Sequence, residues 1–498
     1  MDIGAIILLL LISVGIVAGQ TVASDNLVNK KVDRVIDISS QIVTITCTIS
    51  VENRDKVDAK DYIIQIDGDH VTHLAFLEAT LVSSNGAKTN MVTSKQSGSS
   101  DRWKIDLSKN PIRPGSSTDL IIVMVFTHLL ESYPTQISQA DKQLVLYNGN
   151  HYLFSPYLTL TQSTRIKLPS GGLLESYTKL KPSSTSSGSI NLGPYENIKG
   201  SSKSSLQVHV ENNSPFLTIS RLERSIELSK WAGVISVEES IDLQHDGAQL
   251  KGPFSRYEFQ REPTHGLSAV KSFRTKLPPL AYDIYYRDEI GNISTSNVRF
   301  SPRNVIADLR PRFPLFGGWK THYTLGYYLP TKTYLSSQGS QFVLKIRFVD
   351  HVFDNFAIDE AVVNLILPEG ASNIKFKLPY SVQREKDQVH KTYLDTFGRP
   401  KIVLRKSNLV EQHIQELQVE YTFNRLLLLQ EPLLIVIALF SLCLIVSIYV
   451  RFDFSLRDKE REKEKEKESE KEKDKEKERE KDRGKRWEKP QSTKQSRA

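Results

Sequence analysis

Chemistry in this chain would have to come from a few scattered side chains. His70 and His73, spaced H-V-T-H, could bring two imidazoles near one another, and Asp350-His351 with Asp354 forms a polar turn of metal-ligand types. The histidine pair has no nearby third ligand and lacks the helical H-E-x-x-H spacing that sets two histidines and a base on one face. The histidine pair is expected on a loop after Asp67-Gly68-Asp69, and the Asp350 string in a loop at the end of a strand. No G-x-S-x-G elbow, P-loop or Rossmann glycine pattern occurs. The residues predict no catalytic group, no cofactor and no metal of their own.

Two other features concern surfaces. The sequons Asn212-Asn213-Ser214 and Asn292-Ile293-Ser294 offer amide nitrogens for a glycan if they face a lumen. Pro215 stiffens the first, so Asn292, in a polar turn-like setting, ranks ahead of Asn212. The stretch Arg310–Tyr323 surrounds large aromatics with two prolines and two glycines. Its bland reading is a rigid packed corner. Its functional reading is a partner contact through Arg310, Arg312, Phe313, Phe316 and Trp319, since aromatic and Arg anchors are favoured in interfaces.

The elements that would position these residues are mainly strands. Val43, Ile45, Cys47, Ile49 and Val51 alternate with hydroxyl residues, giving one greasy face that includes Cys47 and makes it a buried, inert thiol. Leu120–Phe126, Phe342–Val349, Val362–Leu367 and Leu417–Phe423 are further strand candidates, and amphipathic helix signals are scarce. Two tandem β-sandwich-like domains fit this pattern. A weak internal repeat agrees. Val32–Ser39 resembles Leu222–Ser229, and Lys167–Gly171 resembles Ile366–Gly370, in the same order. The division expected is 24–217 and 218–425, with the boundary near Ser214–Arg221.

From Leu433 to Val450 the chain carries no charge. As a helix rising about 1.5 Å per residue that run spans roughly 27 Å, close to the ~30 Å hydrocarbon core of a bilayer. Residues 426–450 therefore read as a single transmembrane helix. Arg451, Arg457 and Lys459 follow and predict a cytosolic C-terminus. At the other end, the apolar run Ile6–Val17 followed by Ala18, Gly19 and Ala23 reads as a signal peptide over 1–23. Together these make a type I membrane protein with a lumenal N-terminal portion.

Only two cysteines occur, and this topology separates Cys47 from Cys443, so no disulfide joins them. A disulfide-free lumenal portion points to an endoplasmic reticulum resident. The net charge of +8 does not form an aromatic-interleaved basic patch, which argues against nucleic-acid binding. Much of that charge lies in the tail, 451–498, where Lys and Glu alternate from Lys459 to Lys481. Opposite charges fall at i,i+3 but like charges at i,i+4, and with almost no apolar residues the tail is expected to be solvated and largely disordered.

Long irregular strings carry a family resemblance: Gly252–Tyr257, Tyr285–Asn292, Arg310–Tyr323, Arg347–Asp354, Tyr393–Pro400, Asn408–Gln415 and Leu429–Leu433, with Tyr133–Ile137 and Glu211–Phe216 earlier. In these the chain resembles the ribophorin I family, subunit 1 of the endoplasmic reticulum oligosaccharyltransferase. The resemblance implies a non-catalytic subunit of the complex that moves a preassembled glycan from dolichyl diphosphate to asparagine, with the active site on another subunit. It implies complex stabilisation and presentation of nascent polypeptides, with translocon and ribosome as further neighbours. The short alternating tail departs from the longer, heptad-bearing cytosolic region typical of animal members and puts a specific ribosome dock in doubt. The alternative from another class is an independent lumenal chaperone or type I receptor that binds client proteins.

Overall fold

The computed structural model describes residues 26–485, apart from 84–85, 230–232, 262–267, 295, 393 and 452–455. The expected signal segment 1–23 lies outside the described residues. Through Leu428 the chain is one compact unit, and Leu429 onwards is another.

The first unit is built from strands, as the alternating pattern predicts. Strands β1 (Leu27–Asp37), β2 (Val43–Asn53), β3 (Ser117–Phe126) and β4 (Leu158–Lys167) lie in a ten-stranded sheet, in the spatial order β4-β1-β2-β3. The expected strand at Val43–Val51 is β2, with Cys47 wholly buried on its inner face. The sheet curls on itself: Tyr62, in its far edge strand Asp61–Gln65, donates a 3.0 Å hydrogen bond to Asn29 of β1. A four-stranded sheet adds Val145, Tyr147, Leu206, Val208 and Val210 to the same core, which draws on residues from Leu27 to Phe216.

The second arrangement repeats the first. Strands β5 (Leu217–Leu228), β6 (Val234–His245), β7 (Lys320–Pro330) and β8 (Ala357–Ile366) occupy an eight-stranded sheet in the order β8-β5-β6-β7. Their core runs from Leu217 to Phe423. The correspondence extends to register. In the parallel pair β1/β4, Asp37 stands opposite Lys167; in β5/β8, Glu227 stands opposite Ile366. These are the positions that the two sequence matches align. The β1/β2 ladder shifts between Asn29 and Lys31, and the β5/β6 ladder shifts at the corresponding place, between Ile219 and Arg221. A bulge inserted at the same position in both hairpins is a specific shared feature.

The two cores meet through a small apolar cluster of Ile42, Val125, Ala357 and Val410. Polar contacts flank it. Gln41 donates to the carbonyls of Leu217 (2.7 Å) and Asn355 (2.6 Å), and His128 lies 2.8 Å from Asp359. Gln136-Ile137 pairs in parallel with Gln249-Leu250, a short strap between the halves.

Among the described residues, the unit from Leu429 holds two helices. The apolar helix Gln430–Arg451 continues from a 3-10 turn at Arg425–Leu429, so the helical stretch Arg425–Arg451 runs for 27 residues. Pro432 falls in the first helical turn, where its missing N–H costs no bond. Its length and composition are compatible with a membrane anchor. The described side chains of the tail are all exposed, in keeping with its composition. Its backbone is nevertheless helical over Leu456–Lys485, more regular than the largely disordered segment expected. High helix propensity of Glu and Lys and the i,i+3 charge pairs account for that regularity.

Candidate functional site

The aromatic corner is assembled from two segments, only one of which stood out in the sequence. Phe316 and Trp319, 5.4 Å apart, pack on Phe254 at 5.5 and 5.7 Å, and Phe259 approaches Phe316 at 5.5 Å. Phe313 reaches the same Trp319 at 5.9 Å, and Lys271 Nζ lies 4.3 Å from the Phe259 ring centre. Phe254 and Phe259 were missed as members, although Phe254 sits in a rigid Gly252-Pro253 context. The mutual packing shows a rigid corner. Phe316 is buried within it, Trp319 is half-buried, and Arg310 and Phe313 remain exposed. The five residues proposed as a contact surface are therefore split between core and surface.

Arg312 has a definite local task. It ion-pairs with Asp288 and donates to the carbonyls of Gly291 (3.0 Å) and Asn292 (3.3 Å). The guanidinium holds the Asp288 carboxyl below the usual carboxylate range. One Arg thereby fixes the turn that carries Asn292, whose side chain is exposed. The structure thus joins a candidate contact residue to a candidate glycan acceptor.

Asn212 is placed very differently. It is wholly buried; its amide donates to the Ile38 carbonyl, and its Oδ1 accepts from the Ser214 backbone at 3.0 Å. Its amide is thus engaged as a polar tie within the fold, unlike the exposed side chain of Asn292.

The histidine strings are satisfied by their neighbours. His73 Nδ1 lies 3.0 Å from the Thr127 carbonyl, while His70 packs edge-on to Phe126 and its pKa is lowered by burial. His351 does gather a ligand-like set, with Asp354 at 3.0 Å and Glu411 at 3.6 Å. Glu411 is distant in sequence and was not foreseen. Lys276 Nζ already sits in this cluster, 2.9 Å from Asp354 and 3.2 Å from His351 Nε2. The ammonium supplies the positive charge that a metal would bring, and the residues fit an ion pair better than a metal site.

Asp350 turns away from that set into a buried network. Arg224, wholly buried, ion-pairs with Glu239 and donates to Asp350 Oδ2 (2.8 Å) and the Tyr327 hydroxyl (3.1 Å). Burial pushes the Glu239 carboxyl up to about 7, against the pull of Arg224. The equivalent residue on β1 is Arg34, which donates instead to backbone carbonyls of Asn150 (2.8 Å), His151 (2.6 Å) and Tyr152 (3.0 Å). Opposite Arg34 stands Cys47, whose thiol burial pushes up to about 12, and opposite Arg224 stands Glu239. Both arginines were missed. The signal was an Arg on the apolar face of an alternating strand, at matching places in the repeat.

The comparisons with known proteins carry the assignment. Subunit 1 of dolichyl-diphosphooligosaccharide–protein glycosyltransferase from Caenorhabditis elegans is 40% identical over 446 residues, 88% of this chain and 74% of that protein. Subunit 1A from Arabidopsis thaliana is 37% identical, covering 90% of this chain and 74% of its own length. Subunit 1B from Oryza sativa is 34% identical over 84% of this chain and 90% of its own. Residues 27–450 match the family described as Ribophorin I, both halves of the strand-built unit and the apolar helix included, and the chain belongs to that family.

Proposed function

We propose that this chain is a membrane-anchored, non-catalytic subunit of an oligosaccharyltransferase complex in the endoplasmic reticulum, whose active site lies on another subunit. The similarity to proteins named as subunit 1, running through both halves, is the observation that carries this reading. The two halves, 24–217 and 218–425, act as lumenal domains that stabilise the complex and present nascent polypeptides beside the translocon and ribosome. The separate cores and the repeated register support treating them as a duplicated pair. Arg451 and the basic residues after it favour a cytosolic C-terminus. Depleting the protein should lower sequon occupancy on secreted glycoproteins, and unchanged occupancy across many substrates would contradict the proposal.

Asn292 is the acceptor this topology offers. Endoglycosidase should increase the mobility of the protein, Asn292→Gln should abolish that shift, and Asn212→Gln should leave it unchanged. A shift that survives Asn292→Gln would place the glycan elsewhere.

The tail contributes little to assembly. Its exposed, alternating charges offer only salt-screened attraction to RNA or anionic lipid. A chain ending at Lys459 should enter the complex and support glycosylation at the normal level. Loss from the complex with normal membrane insertion would reveal a contact in the tail.

A further inference from the structure

The hairpin of strands Gln388–His390 and Arg399–Leu409 displays, on its first strand and its connecting loop, apolar side chains that its own fold leaves uncovered. Phe397 is 78% exposed, Val389 63% and Leu394 44%. Exposed groups of this kind on a loosely held segment would carry little meaning, but Thr396–Gly398 is tied down by its backbone. Buried Glu369 accepts three backbone N–H bonds on one carboxylate oxygen, from Thr396 (2.9 Å), Phe397 (2.6 Å) and Gly398 (3.0 Å). Asp395 accepts from Thr392 (2.8 Å) and from Arg399 (3.2 Å), and Arg399 also pairs with Glu227 on β5. Phe397 is thus presented outward from a fixed backbone, with Lys391 exposed beside it.

What covers this patch follows from where the chain goes. Gly370, next to Glu369, has Leu427 lying directly on it: a Cβ added there would come 2.3 Å from the Leu427 side chain. Leu427 and Leu428 pack on the second core, while Leu426 points out, 73% exposed. The apolar helix begins at Gln430, three residues after Leu427. Three residues reach at most about 11 Å. The anchor of the Phe397 loop is therefore tied, through Glu369, Gly370 and Leu427, to the point where the chain enters its apolar helix.

We propose that Phe397, Leu394 and Val389 insert into the lipid headgroup boundary of the bilayer that the apolar helix spans, a second and monotopic membrane contact. The inference rests on the membrane-anchor reading of that helix. An aromatic and two aliphatic side chains with a flanking Lys suit an interface where apolar groups sink about 5–10 Å and cations stay at the headgroups. The function of the Glu369 carboxylate is to hold the loop in the shape that this contact requires.

Full-length protein in phosphatidylcholine vesicles tests the proposal with an environment-sensitive fluorophore placed at one thiol at a time. The positions are native Cys443, Phe397→Cys and Val92→Cys, the last two in a Cys443→Ser background. Buried Cys47 should stay unlabelled under native conditions. Val92, 68% exposed in the first half, is the control. The probe at 443 should be quenched by lipids labelled deep in the acyl chain, which establishes the anchor independently. At 397 the emission should shift to the blue and lose intensity with headgroup-labelled quenchers, while the probe at 92 responds to neither. Quenching at 443 with a response at 397 equal to that at 92 would overturn the proposal and leave the anchor intact. A shift at 397 that needs other proteins, and not lipid, would overturn it in favour of a protein partner. No quenching at 443 would remove the anchor itself, and the proposal with it.

Discussion

Replacing Arg224 by alanine is expected to destabilise the second half of the chain by about 3–5 kcal/mol, the range for removing one member of a buried ion pair. The change leaves Glu239 and Asp350 facing each other without the buried guanidinium between them, Arg347 at 3.9 Å from Asp350 being the nearby cation that remains, and all three side chains of the network have zero exposure. Hydrogen exchange should rise selectively across β5, β6 and β7, while β1–β4 keep their protection. Equal loss in both halves would mean that the network matters less than the shared interface. Adding Glu239→Gln to Arg224→Ala should recover part of the loss, because one of the two stranded charges is gone.

The same network has a pH signature. The Glu239 carboxyl is held up to about 7, against 4.5 for an ordinary glutamate. The folded state therefore binds this proton more tightly than the unfolded chain. Its contribution to stability is full below about pH 4.5 and is lost as pH rises through about 7. Glu239→Gln mimics the protonated form at every pH. The stability of that variant relative to the wild type should accordingly increase between pH 5 and pH 8, and a flat difference would show that Glu239 is ionised throughout. The comparison with the variant is needed because buried His413, whose pKa burial lowers to about 4, acts with the opposite sign over part of this range.

The second large effect is expected at Gly317. A Cβ there would lie 1.9 Å from the Ala248 carbonyl oxygen and 2.5 Å from its carbon, so backbone and not a flexible side chain must yield. Overpacking of this kind costs about 1–3 kcal/mol where neighbours can move. Here the displaced segment leads into Gln249-Leu250, which pairs with Gln136-Ile137 across the halves. Gly317→Ala should open that strap, and limited proteolysis should cut near 247–250 well before either core unfolds. Unchanged proteolysis would show that the corner absorbs the methyl group without passing strain to the strap.

Local order was legible because period-two alternation is a local signal. Val43–Val51, Phe342–Val349, Val362–Leu367 and Leu417–Phe423 all fall on strands within a few residues. The repeat was legible only as two short matches. Its strongest form, the parallel pairing of β1 with β4 and of β5 with β8, joins strands more than a hundred residues apart that no local pattern links. The site residues divide along the same line. Asn292 could be ranked from its turn and from Pro215 beside its rival, but the burial of Asn212 depends on a carbonyl at Ile38, far along the chain. Lys276 inside the His351 cluster and Phe254 beneath Trp319 are likewise long-range partners. The tail shows the converse: its lack of a core was evident from composition, whereas its helical backbone depends on a balance of propensity against like charges at i,i+4.

Membership of an oligosaccharyltransferase is the central claim, and native comigration tests it most directly. Membranes containing the tagged full-length chain are solubilised in a mild detergent, separated by native electrophoresis, and the tagged band is assayed for glycan transfer to a sequon peptide. The account predicts a single large species that contains the chain together with other subunits and carries the transferase activity. A free monomer, with the activity migrating elsewhere in the same gel, would contradict it.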